Sequence, residues 1–186
     1  MEKKKRQRIE NGAVVRINLS ENRMVFARLI SGRIAVYDYA LFQSDPLPEI
    51  DTIIQKNIIL YCSVYDEVIT KSIFEIIGFK ELTDFELNSV PPKFTQDIVN
   101  IDDCSIFWPD GRRIKVMPKE CVGLERSSVW EAEGVIQRIE DYYAGRKNYY
   151  VEAQKVILSK DDPRYLPPPQ ALRWDFEKQE FYRTDR

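Results

Sequence analysis

The amino-acid sequence predicts an α+β fold that is mostly β: an antiparallel sheet or partly open barrel that starts with a three-stranded meander, with one main C-terminal amphipathic helix packed on it. Three observations support this. Apolar residues recur at every second position in three successive segments between Gly12 and Asp38, the stretch from Cys104 to Val116 has the turn chemistry of a β-hairpin, and beyond Ser128 the apolar period lengthens to that of a helix.

In the first segment Val15, Ile17 and Leu19 alternate with Arg16 and Asn18. In the second Val25, Ala27 and Leu29 alternate with Phe26 and Arg28, and in the third Ile34 and Val36 alternate with Ala35 and Tyr37. Ser20-Glu21-Asn22-Arg23 and Ser31-Gly32 are connections of hairpin length, built from residues that tolerate positive φ. Pro46 and Pro48 break the pattern, and a short helix is expected over 49–55, just after a proline. The dense apolar run Ile58 to Val64 reads as a strand buried on both faces, and Ile73 to Phe79 as a further strand. Pro91-Pro92 excludes a central strand there, since proline fixes φ and lacks an N–H. The hairpin follows: Cys104 to Trp108, the turn Pro109-Asp110-Gly111, then Arg112 to Val116.

Ser128 and Glu131, three residues apart, carry a capping-box signature for a helix over 129–144. Ala132, Val135, Ile136, Ile139, Tyr142 and Tyr143 form its apolar stripe, with Gln137, Arg138, Glu140 and Asp141 opposite. Val135, Ile136 and Ile139 are expected to be buried and Trp130 to be core, while one of the adjacent Tyr142 and Tyr143 should be partly exposed. Gly134 is tolerated at about 1 kcal/mol relative to alanine, and Gly145 marks the helix end. Residues 149–158 fit a second helix with Tyr149, Tyr150, Ala153, Val156 and Ile157 on one side, and a strand nearly as well. Pro167-Pro168-Pro169 favours extended polyproline geometry, but Trp174, Phe176, Phe181 and Tyr182 beyond it suggest a segment that docks on the domain or on a partner. The chain thus divides into a basic flexible arm over 1–10, with order beginning near Gly12, a single β-rich domain over 11–158, and a Pro-containing extension over 159–186.

Composition removes several classes of chemistry. The chain has no histidine, which excludes Ser-His and Cys-His nucleophile pairs, histidine metal ligands and histidine acid–base catalysis. Its seven glycines form no phosphate-cradling loop. Asp102-Asp103 and Asp161-Asp162 lack the oxygen-rich periodic loop of a calcium site, and a loop position explains each pair. Cys62, Cys104 and Cys121 are odd in number and widely spaced, so free thiols are expected, with no metal and no cofactor. No apolar run reaches the roughly 18 residues of a membrane span, and no apolar stretch follows the first basic residues as in a signal peptide. A cytoplasmic, non-enzymatic protein is the expectation.

Charge is uneven. Residues 2–8 hold five basic side chains and one acidic, whereas residues 38–103 hold thirteen Asp and Glu against four Lys, a net of −9. A solvated face is the plainer explanation, and an acidic surface for a basic partner is the functional one. Nucleic-acid binding is disfavoured, because a body of net −6 over 9–158 would bind phosphates against its own field.

The order of several short motifs resembles the immunity protein 26 family of bacterial polymorphic toxin systems. They are Gly12-Ala13-Val14-Val15-Arg16-Ile17, Val25 to Ile30 and Ile34 to Asp38, then Ile76-Ile77-Gly78, Pro92 to Asp97, Gly123-Leu124-Glu125, Val129-Trp130, Arg138-Ile139 and Tyr143-Ala144-Gly145. The similarity covers about residues 11 to 150. It implies a mostly β protein that binds and neutralises a cognate toxin, a nuclease among the candidates, and it brings no catalytic residues. Family members carry a tryptophan before the Ile76-Ile77-Gly78 motif where this chain has Ser72-Ile73-Phe74, so Phe74 would have to replace any contact that aromatic makes.

Asp102, Asp103, Phe107 and Trp108 are the candidate toxin-binding residues, carboxylates for a basic surface beside aromatics. A solvated turn before the hairpin is the competing explanation of the two aspartates. The alternative function is a small β-barrel module for nucleic acid or peptide, using Arg112, Arg113 and the 104–116 hairpin.

Overall fold

The meander forms as its alternation predicts. β1 (Ala13–Asn18), β2 (Arg23–Ile30) and β3 (Arg33–Tyr37) pair antiparallel in sequence order. Glu21 and Asn22 in one connection, and Ser31 and Gly32 in the other, take positive φ, whose twist matches that of the flanking strands. Alternation understates the burial, because both faces of this sheet are covered and all five residues of β3 are buried. On one face Val14, Met24, Phe26 and Tyr37 pack with Ile53. After the short β4 (Leu41–Phe42), Ile53 comes from α1 (Ile50–Ile54), the short helix expected after Pro48.

β5 (Ile58–Val64) pairs with β3, α2 (Asp66–Thr70) follows, β6 (Glu75–Phe79) pairs with β1, and α3 (Asp84–Asn88) comes next. β5 is not buried on both faces: Cys62 alone is fully buried and Ile58 is exposed. It lies near the margin of the sheet, where less covers it.

The computed structural model describes residues 6–165 and 171–184. They fall into two units: one runs up to Val90 and includes Ser128–Glu140, the other takes Pro91–Ser127 and the chain from Asp141 onward. In the second unit β7 (Lys93–Gln96), β8 (Cys104–Phe107) and β9 (Arg113–Val116) form an antiparallel sheet, and the expected hairpin is β8–β9. A 3-10 turn at Pro118–Cys121 leads to β10 (Glu125–Arg126), which joins β7 in parallel.

The expected helix start is corrected. Val129 and Trp130 form β11 (Val129–Trp130), parallel to Ser63 and Val64 of β5, and the helix α4 is Ala132–Tyr143. The backbone of Val129–Trp130 is committed to the sheet, and the Trp130 carbonyl also accepts from the Tyr65 N–H at 3.2 Å. Ser128 therefore stands outside the capping position. Trp130 is buried as expected, and it explains Gly134: a Cβ there would lie 3.0 Å from the indole ring. Arg138, one turn on, places its guanidinium 4.5 Å from the same ring. Val135 and Ile139 are buried but Ile136 only half so, and Arg138 and Asp141, read as a polar face, are buried too. The first sheet runs β11-β5-β3-β2-β1-β6 and stays open, with β4 attached to β2.

Beyond Gly145, which has positive φ, the first part of the 149–158 stretch forms α5 (Tyr149–Gln154), capped by the Asn148 side chain, and residues 155–158 are irregular. The terminal aromatics lie on a hairpin, β12 (Ala171–Asp175) with β13 (Glu180–Thr184), and Trp174 and Phe181 pack on Tyr149 at 5.6 and 5.4 Å between ring centroids. The triple proline and residues 1–5 of the basic arm lie outside the described residues. Order begins before Gly12, because the Gln7 side chain donates to the Ile69 and Phe74 carbonyls at 2.7 and 2.9 Å and accepts from the Ile76 N–H at 2.7 Å. That contact also covers part of the β6 edge. Among the described residues no helix is long and apolar enough to cross a membrane.

Candidate functional site

On β8, Cys104 and Ile106 face the core of the second unit with Phe94, Cys121 and Val156, so alternation turns Ser105 and Phe107 to the other face. Trp108 lies at the margin of that core, partly buried. The turn that follows closes through the Trp108 N–H to the Arg112 carbonyl at 2.9 Å, with Gly111 at positive φ. The Asp110 carboxylate accepts from the Arg112 N–H at 3.0 Å and from its Nε at 2.6 Å, and these bonds hold its carboxyl below the ordinary range. The same guanidinium sits 5.0 Å from the Trp108 ring. Lys115 pairs with Asp103, and Arg113 reaches the Thr95 hydroxyl at 3.5 Å. Arg112 and Lys115 thus have carboxylate partners close to the hairpin, while Arg113 meets only a hydroxyl among the described residues.

Asp102 and Asp103 are exposed in the turn that enters β8. Asp97 shapes that turn, its carboxylate accepting from the Val99 and Asn100 N–H groups at 2.7 Å each, and those bonds hold it below the ordinary value. Ile98 and Val99 at the tip are 68% and 76% exposed. The sequence reading missed them, although two adjacent apolar residues inside an Asp- and Asn-rich turn were a signal. The aspartates and Phe107-Trp108 stand at opposite ends of β8, roughly 13 Å apart at about 3.3 Å per strand residue. They form two clusters on one strand. Phe74 is buried to 1% exposure and is a core residue.

A second feature lies in the first unit. Arg28, fully buried on β2, donates to the Lys80 and Glu81 carbonyls at 2.7 and 2.9 Å and pairs with Glu86 of α3. Thr83 and Glu86 form a reciprocal capping box at the start of that helix. Burial works to raise the Glu86 carboxyl, but bonds from the Thr83 N–H and hydroxyl and the nearby Arg28 outweigh it, and the net direction is down. Burial also pushes the Tyr37 hydroxyl up, against a hydrogen bond and attraction from Arg28.

The three cysteines are buried and none is in a disulfide. Burial, with Cys104 beside it, pushes the Cys121 thiol up to about 11, and burial likewise raises Cys104. These are core groups with little thiolate at neutral pH.

In comparisons with known proteins, the model of the family described as immunity protein 26 matches residues 10–105. No curated protein and no solved structure matches the chain. The matched stretch holds the meander, α1 to α3, Asp102 and Asp103, and ends inside β8, before Phe107 and Trp108.

Proposed function

The chain belongs to the immunity protein 26 family, and from that premise we propose that it binds and neutralises a cognate bacterial toxin by protein–protein contact, without catalysis, in the cytoplasm of the producing cell. Family membership is the observation that carries this reading. The acidic character of residues 38–103 supports a basic toxin, for which a nuclease is the chemical class of choice. Asp102 and Asp103 belong to the proposed contact surface, together with the apolar turn tip beside them and with Phe107 and Trp108 at the far end of β8. An exposed apolar tip in a turn that also carries the exposed Asp102 and Asp103 suits a partner that presents lysines and arginines around an apolar recess. The nucleic-acid reading has less support, since residues 9–158 carry a net charge of −6; the exposed pair with Lys115 leaves Asp103 only partly available, so Asp102 is the freer carboxylate of the two.

The test is co-expression with the product of the adjacent reading frame, scoring survival and co-purification. Protection together with a stable complex is the expected result, and absence of both overturns the reading. For the contact surface, Asp102→Asn with Asp103→Asn should slow association several-fold at low salt and leave dissociation nearly unchanged. Unchanged association removes these residues from the interface.

A further inference from the structure

α3 is five residues long, and none of them is buried. Core packing therefore holds it only through partly buried side chains. The Thr83–Glu86 capping box and the buried Arg28, which grips the two carbonyls before the helix and the carboxylate within it, supply the polar part of its attachment. Leu82 and Leu87 turn inward to pack, partly buried, on Ile30, Ala35 and Val90. Phe85 lies two positions from Leu87, about 200° around the helix, and so faces out. It is 81% exposed, more than any other large apolar side chain described in the first unit.

An aromatic ring left in water on an otherwise pinned and capped helix gains nothing from folding. Its apolar area becomes favourable only when something covers it, and buried aromatics are the typical anchors of protein interfaces. The surroundings select the partner. Glu81 and Asp84, exposed on either side of the cap, have no ion-pair partner among the described residues, whereas Glu86 is paired with Arg28 and Asp51 with Lys80. Residues 38–90 carry ten Asp and Glu against three Lys, a net of −7, so most of the acidic excess of the middle segment belongs to this unit and not to the turn around Asp102.

We propose that α3 is a second toxin-contacting surface, on which Phe85 enters an apolar recess of a basic protein face while Glu81 and Asp84 meet the cations at its rim, with Arg28 as the residue that positions the helix. The proposal rests on the toxin-binding reading given above.

The test uses the full chain and the purified toxin of the adjacent reading frame. Phe85→Ala should weaken binding at least about 10-fold, mainly through faster dissociation, with the melting temperature unchanged because the ring is exposed. Glu81→Gln with Asp84→Asn should slow association several-fold at low salt, an effect that vanishes near 1 M salt. Phe176→Ala, which removes an equally exposed ring (82%) from the C-terminal hairpin, is the control and should bind as the parent does. If the parent protein binds the toxin and Phe85→Ala binds equally well, this inference falls while the functional reading stands. If the parent does not bind, the functional reading falls with it. Sedimentation of the full chain at micromolar concentration should show a monomer; a dimer that Phe85→Ala dissociates would make a second copy the occupant and overturn the proposal.

Discussion

Arg28 occupies a strand position between Ala27 and Leu29, where the period-two pattern gives a polar side chain facing solvent. In the fold it is fully buried, because the chain from Lys80 to Glu86 closes over that face of the meander and brings a carboxylate and two carbonyls to the guanidinium. One donor, Nε, is left buried without a partner. A buried arginine of this kind makes the loop's position depend on one side chain. Arg28→Met should lower stability by about 3 kcal/mol in urea unfolding, since it strands the carbonyls and the carboxylate that the guanidinium served. A loss below about 1 kcal/mol would show that the loop is held by something else. No sequence signal distinguishes this arginine from Arg16, whose pair with Glu75 at 2.5 Å is partly exposed.

At the scale of elements, local chemistry succeeded where a segment makes its own structure. The meander, the β8–β9 hairpin and α1 were legible because positive-φ turn residues, alternation and a preceding proline act within a few residues of chain. Val129–Trp130 was misassigned for the opposite reason: its partner strand lies some 65 residues earlier, and pairing with Ser63 and Val64 overrode the capping signature at Ser128. Gly12, at the entry to β1, shows the same non-local control. It has φ 94°, its N–H donates to the Leu29 carbonyl at 2.8 Å, and a Cβ would lie 2.4 Å from the Lys80 carbonyl oxygen. Gly12→Ala should therefore cost about 2–4 kcal/mol, measured by chemical denaturation, through left-handed strain and a backbone clash together. Gly32→Ala, also at positive φ but with open space around it, should cost clearly less. Equal losses at the two positions would refute the clash.

For the whole molecule, the shifted groups define a window of pH stability. Glu86 and Asp97 are held below their ordinary carboxylate values, so the fold favours their charged forms; that contribution is present above about pH 4.5 and is lost as pH falls through the folded values. Cys104, Cys121 and Tyr37 are raised, so the fold favours their neutral forms. Their contribution is complete below about pH 8.5 and disappears as pH climbs through the folded values, for Cys121 about 11. The melting temperature should thus be flat from about pH 6 to 8 and decline on both sides, with Cys121→Ala reducing the alkaline decline. A melting temperature that holds to pH 11 would contradict the buried state of these thiols. The charge distribution acts on the same scale: most of the acidic excess of residues 38–103 lies at 38–90, within the first unit, while Arg112 and Lys115 of the second unit's hairpin pair with Asp110 and Asp103.

The sequence by itself determined the β-rich class, the order of the early strands, the hairpin, the presence of one main helix and, through the order of its motifs, the family. Each of these is encoded in spacing along the chain, which local sterics and apolar periodicity translate directly. Only the tertiary structure decided which polar residues are buried, which strand recruits Val129–Trp130, and which apolar side chains stay in water. Those outcomes depend on segments far apart in sequence that meet in the fold. Arg28 became a clamp and Phe85 a presented ring because the chain from Lys80 to Asn88 folds back over a strand laid down some fifty residues earlier, a juxtaposition that no local pattern records.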